Sequence, residues 1–144
     1  MKISSRGRYG IRLLIDLAEH TDLPHVSLAS VAERQNISIR YLEQVAVILR
    51  RSGLIRSVKG ASGGYTLARP PEEIFIGKAL RDLEGDMLVV DTPLPNTEET
   101  KIQKCIRLTV YDRLNERIAG VIDEKTLLSL VGTIDPDESY MYFI

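Results

Sequence analysis

Arg40, Tyr41, Glu43 and Gln44 are the side chains whose types and spacing best suit chemistry on the edges of base pairs. An arginine donates two hydrogen bonds to guanine O6 and N7, a glutamine pairs with adenine N6 and N7, and a glutamate accepts from cytosine N4. The four fall within IRYLEQVAVILRR, where Leu42, Val45, Ala46 and Leu49 recur at helical spacing and form the opposite, apolar stripe. Ser38 joins them at the N-terminal end with the chemistry of an N-cap, and Ile37 before it can pack on Leu42. The pattern predicts a helix from Ile39 to about Ser52, with Gly53 in the left-handed position and Leu54 as the contact that follows it.

The elements that must hold these residues lie on either side. SLASVAERQ reads as a shorter helix with Leu28, Val31 and Ala32 on one face, and NIS is the turn, so the pair has the pattern of a helix-turn-helix. Ahead of it, Ile3 to His20 reads as a helix with one stripe of Ile11, Leu14, Ile15 and Ala18 and a second of Leu13 and Leu17, which predicts cover on two sides. Its start carries Lys2, Ser4, Ser5, Arg6, Arg8 and Tyr9, a basic and hydroxyl-rich patch suited to phosphate contacts. After the second helix, LIRSVK and YTLA are strands separated by GASGG, whose glycines allow a tight turn and close approach to another surface. This hairpin is expected to be a wing with Lys59 at its tip; a nucleotide-phosphate cradle is disfavoured because no strand-to-helix context or Walker lysine-threonine pair follows.

The totals limit the alternatives. A chain of 144 residues, 44% hydrophobic and 27% charged, has the composition of a globular protein with a real core. It contains no apolar run of membrane-spanning length, and MKISSRGRYG lacks a signal-peptide core, so a cytoplasmic location without membrane contact is expected. One cysteine, Cys105, excludes an intrachain disulfide framework and a multi-thiolate zinc site. Two histidines, that cysteine and no convincing nucleophile-base set argue against an enzyme. The net charge of −1 conceals a partition: residues 1–71 carry 11 Lys and Arg against 5 Asp and Glu, residues 72–144 carry 8 against 15. A basic half joined to an acidic half is the footprint of a DNA-binding unit with a separate module.

Pro70 and Pro71 end the first unit, taken as 1–71. In the second, 72–134, GKALRDLEG predicts a short helix with Ile76, Leu80 and Leu83 inward and Gly85 as its stop. Residues 86–104, with Pro93, Pro95 and Asn96, read as a mobile loop. From about Cys105 a long helix runs to about Ile122, and Tyr111, Leu114, Ile118 and Val121 make a narrow stripe that fits a two-helix seam, hence a homodimer. Thr126 to Val131 is expected to add one short helix, and 135–144 is a tail. The expected fold is mainly α with a small β wing: a winged helix-turn-helix plus a long C-terminal dimerisation helix.

MKISSRGRYG, SLASVAERQNISIRYLEQ and LIRSVKGASGGYTLARPPEEI together resemble the bacterial Rrf-type winged helix-turn-helix regulators over nearly the whole chain. The resemblance implies a dimeric transcriptional regulator of double-stranded DNA. Its best-known relatives hold an iron-sulfur cluster through three cysteines and a histidine in the loop before the long helix. Cys105 falls at the third cysteine position and Leu108 where the histidine would be, so no cofactor is expected. Cys105 is then a redox-sensing thiol beside Lys104 and Arg107 or a buried or inert cysteine, the second reading being preferred. The ending SYMYFI resembles that of the cysteine metabolism repressor branch. That likeness implies cysteine synthase as a partner, with Tyr142, Phe143 and Ile144 as the binding tail, unless the tail folds back on the dimer. A redox or small-ligand sensor without an enzyme partner, switching through Cys105 or a labile cluster, is the alternative.

Overall fold

Two helices lie over a third, and the computed structural model, which describes residues 1–132, places all three between Ser5 and Arg51. The elements are α1 (Ser5–Glu19), α2 (Leu28–Gln35), α3 (Ile39–Arg51), β1 (Ile55–Val58), β2 (Gly64–Leu67), α4 (Ile76–Glu84), α5 (Lys101–Ile106) and α6 (Asp112–Asp123). The core is centred on Leu13, Leu14 and Leu17 of α1, Val31 of α2, Leu42, Val45 and Leu49 of α3, and Leu83 of α4. Each such side chain contributes about 1.5–3 kcal/mol by leaving water. Both predicted stripes of α1 meet their cover within the chain: Leu13, Leu14, Leu17 and Ala18 are buried, with Ile11 and Ile15 at the margin.

Backbone chemistry fixes the turns. Ser27 caps α2 by accepting from the Ser30 N–H, and Asn36 ends the helix in the left-handed region, at φ 52°. Ser38 then caps α3. At the other end of α3 the Leu54 N–H donates to the Leu49 carbonyl and the Gly53 N–H to the Arg50 carbonyl, the paired bonds of a Schellman motif, with Gly53 at φ 78°. That motif turns the chain directly into β1.

β1 and β2 pair antiparallel, Ile55 with Leu67 and Val58 with Gly64. Val26 adds a bridge on the far side of β2 through two bonds of 2.8 Å to Tyr65. A Cβ on Gly64 would collide with the Val26 carbonyl, so the close approach foreseen from the glycines is made by the chain entering α2. α4 packs against α1 on a glycine surface: a Cβ at Gly10 would strike Leu83, and one at Gly7 would strike Glu84. Ile76, Leu80 and Leu83 face inward, and Gly85 ends α4 at φ 86°.

α5 and α6 form one continuous helix interrupted by a π-helical turn, Arg107–Tyr111, in which the Asp112 N–H donates five residues back to Arg107. The loop expected to run to residue 104 ends at Thr100. Thr100 and Gln103 build a capping box there, each side chain accepting from the other's backbone N–H. Nor is 126–131 a helix of the ordinary kind. The Ile76 N–H donates to Lys125 and the Leu127 N–H to Ile74, tying this segment to the start of α4 and leaving room only for the 3₁₀ turn Leu128–Leu130.

Candidate nucleic-acid interface

Ser38 accepts from the Tyr41 N–H at 3.4 Å, which sets the start of α3 at the protein surface. Arg40, Glu43 and Gln44 are exposed on the first two turns, while Leu42, Val45, Ala46 and Leu49 are buried behind them. Tyr41 is different. It is half-buried and meets Tyr9 of α1 edge to face, ring centroids 5.3 Å apart, with the Arg12 guanidinium 5.5 Å from the Tyr9 ring centre. These two tyrosines are therefore a packing joint between α1 and α3 as well as part of the surface.

Lys59 is exposed in the turn after β1, across a groove of about 470 Å³ whose α3 wall is made by Ile39 and Glu43. Lys2 and Arg6 are exposed beside the start of α1. Ser4 is committed elsewhere: its hydroxyl donates to Glu84 Oε1 at 2.6 Å, and the same oxygen accepts from the Ser4 and Gly7 backbone N–H groups at 2.9 Å. A carboxylate from α4 thus occupies the N-terminus of α1, where the helix dipole favours negative charge. With its proton given to Glu84, Ser4 has none to offer a phosphate in this arrangement.

A buried acid below the surface holds α2 to α1. Asp16, 1% exposed, receives the Arg34 guanidinium through Nη2 at 2.7 Å and Nε at 3.0 Å, and Gln35 Nε2 at 3.0 Å. Burial alone would raise its pKa. The hydrogen bonds from Arg34 and Gln35, with the charges of Arg34 and His20, outweigh that and hold the carboxyl below the usual carboxylate range. Arg12 adds bonds to Gln35 from the same face of α1. Sequence reasoning missed this network, although an aspartate between Leu13 and Leu17 on an apolar stripe is its signal. It also missed Glu84, and Ile39, which is 46% exposed at the first position of α3.

In the second half, the residues expected to form one seam divide between two faces. Leu114 and Val121 are 44% and 66% exposed and continue an outward line of Ile102, Ile106 and Val110. Ile118 and Ile122 instead pack on the chain's own core, and half-buried Tyr111 lines a cleft with Val90 and Pro93. Of the expected seam residues all but Tyr111 lie beyond the π turn, so the division arises because α6 rests one edge on the chain's own core while its other edge faces outward. Asn115 clasps the loop from this inner face, accepting from the Val89 N–H at 2.7 Å and donating to the Val90 carbonyl at 3.1 Å. Arg81 and Asp123 pin α4 to the end of α6 with bonds of 2.5 and 3.0 Å. Cys105 is exposed, which removes the buried alternative for it. Tyr142, Phe143 and Ile144 lie outside the described residues.

An exposed guanidinium, carboxylate and amide on the leading turns of a helix, flanked by a wing lysine and a basic helix start, can read base edges and hold phosphates. Among the described residues no helix is long and apolar enough to cross a membrane.

Comparison with known proteins agrees with that surface. Residues 3–133 match the family described as "Rrf2: Iron-dependent Transcriptional regulator". The chain is 36% identical to the transcriptional regulator CymR of Bacillus subtilis over 100% of both chains. The solved structure titled as CymR, the global cysteine regulator of B. subtilis, superposes with a TM-score of 0.80, covering 94% of this chain and 99% of that one. The oxidised form of Staphylococcus aureus CymR is 41% identical with a TM-score of 0.73, covering 94% and 99%. The regulator IscR of Serratia proteamaculans is 37% identical over 94% of this chain and 82% of its own. These relatives are transcriptional regulators and not enzymes. The family's description names iron; this chain has one cysteine, and among the described residues no three His, Cys, Asp or Glu side chains converge on a metal position. In sequence, in fold and in the make-up of its winged helix-turn-helix, the chain belongs to the Rrf2 family of transcriptional regulators.

Proposed function

We propose that this regulator is a homodimeric repressor of sulfur and cysteine metabolism genes, working in the cytoplasm with cysteine synthase as its partner and without an iron-sulfur cluster. The observation that carries the reading is the end-to-end match to a protein titled as a global cysteine regulator, covering 100% of both chains. The outward apolar line on α5 and α6 supports the dimer, because five aliphatic side chains between 39% and 72% exposed favour burial against a second copy. A two-fold dimer presents two α3 helices to successive major grooves about one helical turn apart. In it, Arg40, Glu43 and Gln44 read bases, Lys2, Arg6 and Lys59 hold phosphates, and the C-terminal Tyr142, Phe143 and Ile144 enter the enzyme's active site when O-acetylserine is scarce. Repression then follows sulfur supply through the different affinity of free and enzyme-bound dimer for DNA.

The test is co-purification of the full chain with cysteine synthase. Removing Phe143 and Ile144 should abolish the complex, and O-acetylserine should dissociate the intact one; capture that is unchanged by both refutes the partner. A thiol switch is the second reading, favoured by the exposure of Cys105 and by the existence of an oxidised form of a relative. It predicts that peroxide weakens operator binding by the wild type and not by Cys105→Ser.

A further inference from the structure

We propose that Ile39 is a specificity-determining residue that reads the methyl group of a thymine. The inference rests on α3 being the base-reading helix and goes beyond the polar readers Arg40, Glu43 and Gln44. Every other aliphatic side chain in the first eight residues of α3 is buried or half-buried, whereas Ile39 is 46% exposed. Its position is not explained by packing: the entry to α3 is already held by buried Ile37 beneath and by the Ser38 cap. Nor does a β-branched residue favour a helix start for its own sake.

Its surroundings say what it faces. Ile39 and Glu43 are one turn apart, and both line the groove of about 470 Å³ that runs to Val58, Lys59 and the wing glycines. Every base of a duplex against that surface offers hydrogen-bonding groups in the major groove, and the C5-methyl of thymine is the one apolar group that projects there. Ile39 has no donor or acceptor on its side chain, so it discriminates only by covering that methyl or by being left in water. Four residues of helix advance about 6 Å, and successive bases along a strand lie about 3.4 Å apart. The thymine therefore lies within about two base pairs of the base read by Glu43.

The experiment uses the full chain and the best duplex from a selection of bound sequences. Each thymine is replaced in turn by deoxyuridine, which deletes the methyl and leaves every hydrogen-bonding group in place. Binding is read by fluorescence anisotropy for the wild type and Ile39→Ala. Wild type should lose about fourfold in affinity at one thymine per half-site, the value of one methyl taken from water. Ile39→Ala should bind the parent duplex more weakly, show no loss at that thymine, and keep its affinity for random DNA. Equal uracil profiles for the two proteins, or no sensitive thymine in the wild type, overturn the assignment of Ile39 while leaving α3 as the reader. A wild type that does not distinguish the selected duplex from random DNA overturns both.

Discussion

α3 and α6 are amphipathic helices of thirteen and twelve residues, yet α3 buries Leu42, Val45, Ala46 and Leu49 completely and α6 buries no residue completely. Their sequences do not differ in kind; each carries an apolar line at helical spacing. The difference is where the partners are. α3 finds α1, α2 and α4 within a short stretch of chain, and the reading unit closes on itself. α6 rests one edge on that unit through Ile118 and Ile122 and leaves Leu114 and Val121 to solvent. A buried stripe thus marks a helix whose work is to hold a surface still. An open stripe marks one completed by something else.

The largest effect should come from making the open line charged. Replacing Leu114 and Val121 together by glutamate should convert the proposed dimer to a folded monomer in sedimentation and lower operator affinity by at least about 100-fold, since two half-sites are no longer engaged at once. A double variant that stays dimeric would show that the line on α6 is not the seam.

Next is the clamp between α1 and α2. Asp16→Asn should destabilise the chain to urea by about 1–3 kcal/mol, because one of the two oxygens that accept from Arg34 and Gln35 becomes an NH2 donor and the charge paired with Arg34 is lost. Its carboxyl is held below the ordinary value in the fold, so its contribution is complete above the unfolded pKa of about 4 and is lost as pH falls through the lower, folded one. Wild type should therefore weaken in acid below about pH 4, and Asp16→Asn should weaken less over that range. An identical acid slope in the two proteins would contradict the clamp.

Smaller effects separate bases from phosphates within the reading unit. Gln44→Ala should cost about 1–3 kcal/mol on the preferred operator and relax one position. Arg6→Ala should weaken all duplexes alike and lower the salt slope by about one. Equal losses by Gln44→Ala on specific and random DNA would move Gln44 out of the groove.

The closed unit was the legible one. Ser38, Gly53 and Leu54 announce the ends of α3 because caps are local chemistry, and the glycines of the wing mark a tight turn, although the neighbour Gly64 admits, Val26, is distant in sequence. Long-range pairings were not legible. Asp16 is explained only by Arg34 and Gln35, and Ser4 only by Glu84, which is eighty residues away in sequence. The capping box at Thr100 and Gln103 was present in the letters, but prolines nearby made the segment read as loop. The long helix was foreseen while its faces and its π turn were not, since which edge of an apolar stripe rests on the core depends on partners distant in sequence. Ile39 escaped because an apolar residue at a helix start ordinarily reads as packing.

That π turn also says something about length. Where an α turn closes on the fourth residue back, the bond from Asp112 to Arg107 closes on the fifth, so the stretch from Ile106 to Asp112 holds one residue more than a straight helix needs. A chain one residue shorter there could run as unbroken α-helix and still present Ile102 and Ile106 in line with Leu114 and Val121. Straightening the turn at constant length would instead swing the two ends of that line about 100° apart. In this segment the alignment of the faces depends on the count of residues more than on their identity, and a deletion can be gentler than a change of hydrogen-bond pattern.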